Sequence, residues 1–271
     1  ISFAHSKTNQ LSKEAKYLCN LYANPNMPLN CPVMAIGMYI SSCFNTMQQN
    51  ADYLFPGKEQ SHRFSTIFTK CLRQNEQLVN QLGFINGDIG THSIRKGAVS
   101  YLASLPGGPP VAAVCIRAGW TMGKMKDIYM RYVMSGDQFV GRCLSLLPVL
   151  RPEFGCSPPY FSTEEVLDGD VDWVEDLRKT QFPMVQVIAG WGRLTKMCLA
   201  SMLYHHDYLV SLLHVNHVFR ITSMAFRSGE LLEQLRSNRE LIQVTFPWND
   251  IDNAFSRIPP HVAIMQQVQQ I

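Results

Sequence analysis

Glycine and proline fall in clusters along this chain, and the clusters limit the length of everything between them. "NPNMPLNCP" (24–32), "GFINGDIG" (83–90), "LPGGPP" (105–110) and "PVLRPEFGCSPPYFST" (148–163) are all rich in residues that stop helices and strands. Between them apolar residues recur at three- and four-residue spacing, the period of a helix with one buried face. This predicts helices over Val33–Met47, Ser61–Leu82 with Gly83 as its stop, and His92–Ser104 with Thr91 as N-cap. Further helices are expected over Val111–Ala118, Gly123–Met134, Asp137–Leu147 and Leu194–Leu213, and in the proline-started "RIPPHVAIMQQVQQ" near the end. The start of the chain departs from this pattern. Ile1–His5 alternates apolar and polar residues, Lys16–Ala23 is a second strand-like run, and polar Ser6–Lys13 reads as the hairpin loop between them. The expected fold class is therefore mainly α with a small β-hairpin or sheet near the N-terminus.

Residues 1–147 read as a first domain and the proline- and serine-rich stretch 148–163 as a linker. Residues 164–271 read as a mainly helical C-terminal region that opens on the acidic run "EEVLDGDVDWVEDL". With 46% hydrophobic and 17% charged residues, composition excludes a disordered bulk. A net charge of +3 means that any nucleic-acid footprint has to be local. The eight cysteines form no CxxC pair, which argues against a zinc ribbon and fits reduced, mostly buried thiols of an intracellular protein. No apolar run reaches membrane-spanning length and no signal peptide is visible, so no membrane partner is expected. A chain that starts at Ile1, inside a strand-like run, reads as a fragment lacking its upstream part.

The chemistry sits in "GTHSIRKGA" (90–98) and "RAGWTMGKMKDIYMRYV" (117–133). Residues three apart on a helix share a face, so His92 and Arg95 can address one phosphate from a first turn whose free N–H groups favour anions. Arginine grips phosphate oxygens with a rigid fork that never deprotonates, and histidine titrates near neutrality. Trp120 offers an indole N–H and a flat apolar body. Tyr129, nine residues on, can act as a nucleophile if its proton has an acceptor. Lys7, at the entrance to the hairpin, can protonate a leaving oxygen once its surroundings lower its pKa.

This order and spacing resembles the tyrosine recombinase (phage integrase) family. Longer phrases resemble its Crypton-like mobile-element branch: "SKTNQ", "ANPNMPLNCPVMAIGMYI", "GTHSIRKGA", "RAGWTMGKMKDIYMRY" and "GDQFVGR". The resemblance covers about residues 1–147, and the ending "IPPHVAI" looks like an extension seen in that branch. It implies a mainly helical recombinase catalytic domain and strand exchange on double-stranded DNA through a 3′-phosphotyrosyl intermediate. By the same resemblance, Tyr129 is the nucleophile, Arg95 the second of two phosphate-clamping arginines and His92 the proton-transfer residue. Trp120 fills a position that is His or Trp in the family, and Lys7 protonates the leaving 5′-oxygen. No metal, nucleotide or other cofactor is implied; self-association as a tetramer on paired sites is, as is a nuclear location if the element is eukaryotic. The family's first arginine lies on a helix ahead of the lysine strand, and no arginine precedes Lys7 here. Losing one pre-organised donor typically costs about 100- to 1,000-fold in rate. The expectation is that this polypeptide alone has little or no activity.

Blander readings stand beside these. HxxR by itself is usually a solvated helix start, and Trp120 can be plain core. Tyr132, one turn after Tyr129, competes for the nucleophile's role. Lys96, Arg117, Lys124 and Lys126 could touch phosphates, but surface cations are usually just solvated, so they stay outside the site. His205, His206, His214 and His217 invite a metal reading. The HxxH pair at 214 and 217 would share a helical face, but no carboxylate or cysteine stands at ligand spacing, so packing histidines are expected. Two other functions compete: a domesticated DNA-binding or interaction protein that kept the fold, and a type IB topoisomerase, which shares the tyrosine chemistry.

Overall fold

The computed structural model describes residues 19–42, 55, 57–85, 87–120, 133–162, 173–183, 191–223, 226 and 242–245. Within them the chain is mainly helical: α1 Pro32–Ser42, α2 Gln60–Gln74, α3 Glu76–Gln81, α4 Thr91–Ser104 and α5 Val111–Arg117. Then follow α6 Val133–Leu144, α7 Trp173–Gln181, α8 Trp191–Tyr204, α9 His206–Leu212 and α10 Val218–Thr222. The expected final helix, the first part of Gly123–Met134 and the acidic run up to residue 172 lie outside the described residues.

The glycines end helices in a specific way. After α5, the Gly119 N–H donates to Ile116 O and the Trp120 N–H to Cys115 O, both at 2.9 Å, while Gly119 takes φ +73°. After α3, Gly83 (φ +81°) and Phe84 make the same pair of bonds to Asn80 O and Val79 O. A left-handed residue just past the helix lets two N–H groups turn back onto the last carbonyls, and glycine adopts that conformation without steric cost. α6 ends identically, but with Leu146 at φ +58°: Leu146 N–H reaches Cys143 O and Leu147 N–H reaches Arg142 O. No glycine signals this stop, which is why the pattern continued the helix to Leu147. The run Ser61–Leu82 is broken at Asn75, whose side-chain amide donates to Cys71 O at 2.8 Å and so competes with helix continuation. Likewise Leu194–Leu213 divides at His205 into α8 and α9.

The expected N-terminal hairpin is not what the described residues contain. Residues 1–18, with most of the expected hairpin, lie outside them, and Cys19–Asn24 runs as irregular chain. Its polar groups are taken up by side chains of α5 and α6 and by the turn after α6. Asp137 and Arg117 bind the Asn20 backbone, Ser145 Oγ donates to Tyr22 O at 2.8 Å, and Asn24 Nδ2 donates to Ser145 O at 2.6 Å. The described sheet lies elsewhere: β1 (Tyr160–Phe161) pairs antiparallel with β2 (Ile242–Gln243).

Two apolar clusters hold these elements. In the first, α1 packs on α8, with Val33, Met34 and Ile40 meeting Cys198, Leu199 and Met202 among the buried residues. A Cβ on Gly37 would lie 3.0 Å from Cys198 Cβ, so the missing side chain sets how closely the two helices approach. Thus α1 precedes the expected boundary in sequence while its core partners follow it. The second cluster joins Leu102 of α4, Val114 of α5 and Phe139, Val140 and Cys143 of α6. The stretch with linker composition belongs to this cluster: Val149, Phe154 and Cys156 are buried, Phe154 packs edge-on to Phe139 at 5.2 Å, and its carbonyl accepts from Arg142 Nη1 at 2.8 Å.

Candidate functional site

α4 begins where "GTHSIRKGA" predicts a helix, one residue earlier than the expected N-cap. Gly90 holds the extended cap position, its N–H donates to Ser93 Oγ at 3.1 Å, and the Ser93 N–H donates to Gly90 O at 2.9 Å. Buried Leu102, with partly buried Val99, anchors the C-terminal half of the helix in the second cluster. The first turns stay at the surface. His92, Arg95 and Lys96 are exposed, and neither His92 nor Arg95 has a hydrogen-bond or ion-pair partner among the described residues. The two lie three residues apart, so they share a face beside N–H groups that no intrahelical carbonyl reaches.

Trp120 directly follows the left-handed Gly119, so "GW" is first a helix stop: the tryptophan is the third residue past α5, where its own N–H closes the turn. The residue is 45% exposed, which argues against plain core.

The cation at the end of α5 is used differently. Arg117 Nη1 donates to Asp137 Oδ1 at 2.6 Å and Arg117 Nη2 to Asn20 O at 2.9 Å. Asp137 Oδ2 accepts from both the Asn20 N–H (2.7 Å) and Asn20 Nδ2 (2.8 Å). With side chains only 11% and 8% exposed, Arg117 and Asp137 form a nearly buried pair whose charges are consumed by each other, so Arg117 is structural and not a solvated surface cation. Sequence reasoning missed this cluster. The available signal was "GDQFVGR", which puts an acid among apolar residues and two glycines on one helix. Each of its features has a packing role: a Cβ on Gly136 would lie 2.9 Å from Ala113 Cβ, and one on Gly141 would lie 2.6 Å from Asn20 O. Arg142, 5% exposed, lies over the Tyr22 ring at 4.3 Å.

The histidines do not gather. His214 and His217 sit in the loop between α9 and α10 and not on a helix face, which corrects the expected geometry of the HxxH pair. His214 Nδ1 accepts from the Asn216 N–H and His217 Nδ1 from the Phe219 N–H, both at 3.2 Å, the latter capping α10. His205 is buried, its Nε2 has no hydrogen-bond partner among the described residues, and burial pushes its pKa down to about 4. His206 stacks on Phe226 at 4.8 Å. Among the described residues no group of three or more His, Cys, Asp or Glu could hold a metal ion, and no helix is long and apolar enough to cross a membrane.

Of the five candidate site residues, His92, Arg95 and Trp120 are placed, each at the surface; Lys7 and Tyr129, like Tyr132, Lys124 and Lys126, lie outside the described residues. Comparison with family models, with curated proteins and with solved structures found no match.

Proposed function

We propose that this chain is a DNA strand-exchange enzyme of the tyrosine recombinase type. The observation that supports the reading most is the state of His92 and Arg95: exposed, three residues apart on the first turns of an anchored helix, and without a partner among the described residues. Arg117, locked to Asp137, cannot serve a phosphate, whereas Arg95 can. In this reading Tyr129 Oη attacks the scissile phosphorus and the P–O bond to the 5′-oxygen breaks. Lys7 delivers the proton that oxygen needs, and His92 receives the phenolic proton. Arg95 and the Trp120 indole N–H hold the charge on the non-bridging oxygens. One phosphoester replaces another, so neither metal nor nucleotide enters the balance, and the reverse step with a new 5′-hydroxyl rejoins the strands. Self-association on paired DNA sites belongs to the same reading.

The test is covalent capture from a randomised pool of nicked DNA duplexes in EDTA, read as protein–DNA adducts that survive denaturation. Trapping over hours keeps even a slow step visible. Adducts that form with the parent chain and with Tyr132→Phe, and vanish with Tyr129→Phe, are expected. DNA binding with no adduct from any variant would replace the proposal with a DNA-binding protein that kept the fold. Relaxation of supercoiled plasmid without site preference would move it to a type IB topoisomerase.

A further inference from the structure

We infer that Arg117, Asp137 and Asn20 form a positioning clamp for the segment that carries Tyr129; only the chemistry assigned to that tyrosine rests on the recombinase reading. Arg117 closes α5 and Asp137 lies in the first half of α6, so everything between them, 118–136, leaves and returns at this ion pair. The two flanks meet at a second point, because Gly136 approaches Ala113 so closely that a Cβ there would sit 2.9 Å from the alanine's. A third strand of chain is tied in. Asn20 is bound through its N–H and side-chain amide to one oxygen of Asp137, and through its carbonyl to Arg117. Position 20 lies thirteen residues after Lys7, so one buried pair fastens both the flanks of the tyrosine segment and the chain that follows Lys7.

The choice of residues fits positioning better than bulk stability. A buried ion pair contributes little more than an apolar pair of the same volume, since desolvating two charges offsets most of their attraction. Its geometry, however, is directional: arginine's fork serves Asp137 and Asn20 at once, which a lysine's point charge cannot do with fixed angles. Misplacing a reacting group by about 1 Å can cost roughly 100-fold in rate, so fixing where the flanks of 118–136 start and stop matters to a nucleophile within it.

The test compares the parent chain with Asp137→Asn, Arg117→Lys and Asn20→Ala, the last leaving the ion pair intact in case the first does not fold. Single-turnover adduct formation is measured on the nicked duplex pool, alongside hydrogen exchange of peptides 113–120 and 133–141. The expected result is adduct formation slowed by about 10- to 100-fold in Asp137→Asn at saturating DNA. Arg117→Lys and Asn20→Ala should show smaller losses, with the half-saturating DNA concentration unchanged in all three. Exchange should speed up in those two peptides while α8 keeps its protection; exchange that rises equally in α8 would mean general destabilisation and would overturn the inference. So would a folded Asp137→Asn, or a folded Arg117→Lys and Asn20→Ala, with parental exchange at both flanks. If adduct forms equally with Tyr129→Phe, the recombinase reading fails while the exchange arm still decides the clamp, and that arm decides it likewise where the parent chain forms no adduct.

Discussion

Two glycines, both inside helices, should respond to the same substitution with opposite signs. Replacing an interior helical glycine with alanine gains about 1 kcal/mol in helix propensity, because alanine loses less backbone freedom on folding. At Gly97 in α4 nothing lies within 4 Å of an added Cβ, so Gly97→Ala should realise most of that gain. At Gly141 in α6 the same methyl would sit 2.6 Å from Asn20 O and 3.1 Å from two carbons of the Tyr22 ring. Neither neighbour retreats easily. Asn20 is bound on both sides by Arg117 and Asp137, and the Tyr22 ring lies under Arg142 while its carbonyl accepts from Ser145. Forcing an extra methylene-sized group into such packing typically costs 1–3 kcal/mol, and loosening a charge-assisted hydrogen bond adds to that (~1.5 kcal/mol). Gly141→Ala should therefore be destabilised by about 2 kcal/mol, and the two variants should lie about 3 kcal/mol apart. Urea unfolding followed by far-UV circular dichroism measures both midpoints. A Gly141→Ala midpoint equal to or above the parent's would refute the close approach of residues 20–22 to α6, and with it the clamp geometry.

Other consequences are more local. Gly119→Ala meets no atom within 4 Å but must hold φ +73°, so it should cost only the left-handed strain of about 1–2 kcal/mol, seen as a modest drop in urea midpoint. His205 has its pKa depressed by burial to about 4 from an ordinary 6.5. The unfolded chain thus takes up the proton first as pH falls, and stability present above pH 6.5 should be lost progressively down to pH 4, by about 3 kcal/mol in all. His205→Phe should flatten that part of the pH–stability curve, and an unchanged slope would place the acid sensitivity elsewhere. His217→Ala should remove the cap on α10 at a cost of about 1 kcal/mol, and added zinc should leave the melting temperature of the parent chain unmoved. A zinc-dependent rise lost with His214 and His217 would restore the metal reading.

Helix positions were legible because breaker clusters and glycine stops act locally: Gly83 and Gly119 end α3 and α5 where the spacing predicts. What escaped the sequence was tertiary. Lys16–Ala23 has the texture of a strand, but in its described part helix side chains bind the backbone of Asn20, and no local pattern announces an Asp137 more than a hundred residues away. Leu146 in a left-handed turn hides a helix stop, and a proline-rich stretch reads as a tether although Phe154 and Cys156 are core. At the candidate site, the exposure of His92 and Arg95 agrees with the reading of a helix start, while Arg117 was set among the solvated cations and is instead nearly buried.

The phrases that carry the family resemblance therefore separate into two kinds. Gly119, Gly136, Asp137, Gly141 and Arg142 are each required by a turn, a close approach or a buried contact, so a protein that kept only the fold would need them as much as an enzyme. His92 and Arg95 are not: exposed and unpartnered among the described residues, they do nothing visible for stability. His92→Ala and Arg95→Ala should each unfold within about 0.5 kcal/mol of the parent, as surface substitutions away from structural features do. If the chemistry is that of strand exchange, Arg95→Ala should lower adduct formation by about 100- to 1,000-fold with no change in melting temperature. Parental adduct formation in Arg95→Ala would take the arginine out of the site. A large loss of stability in either variant would show that the fold uses these residues after all, and the observation that supports the enzymatic reading would be gone.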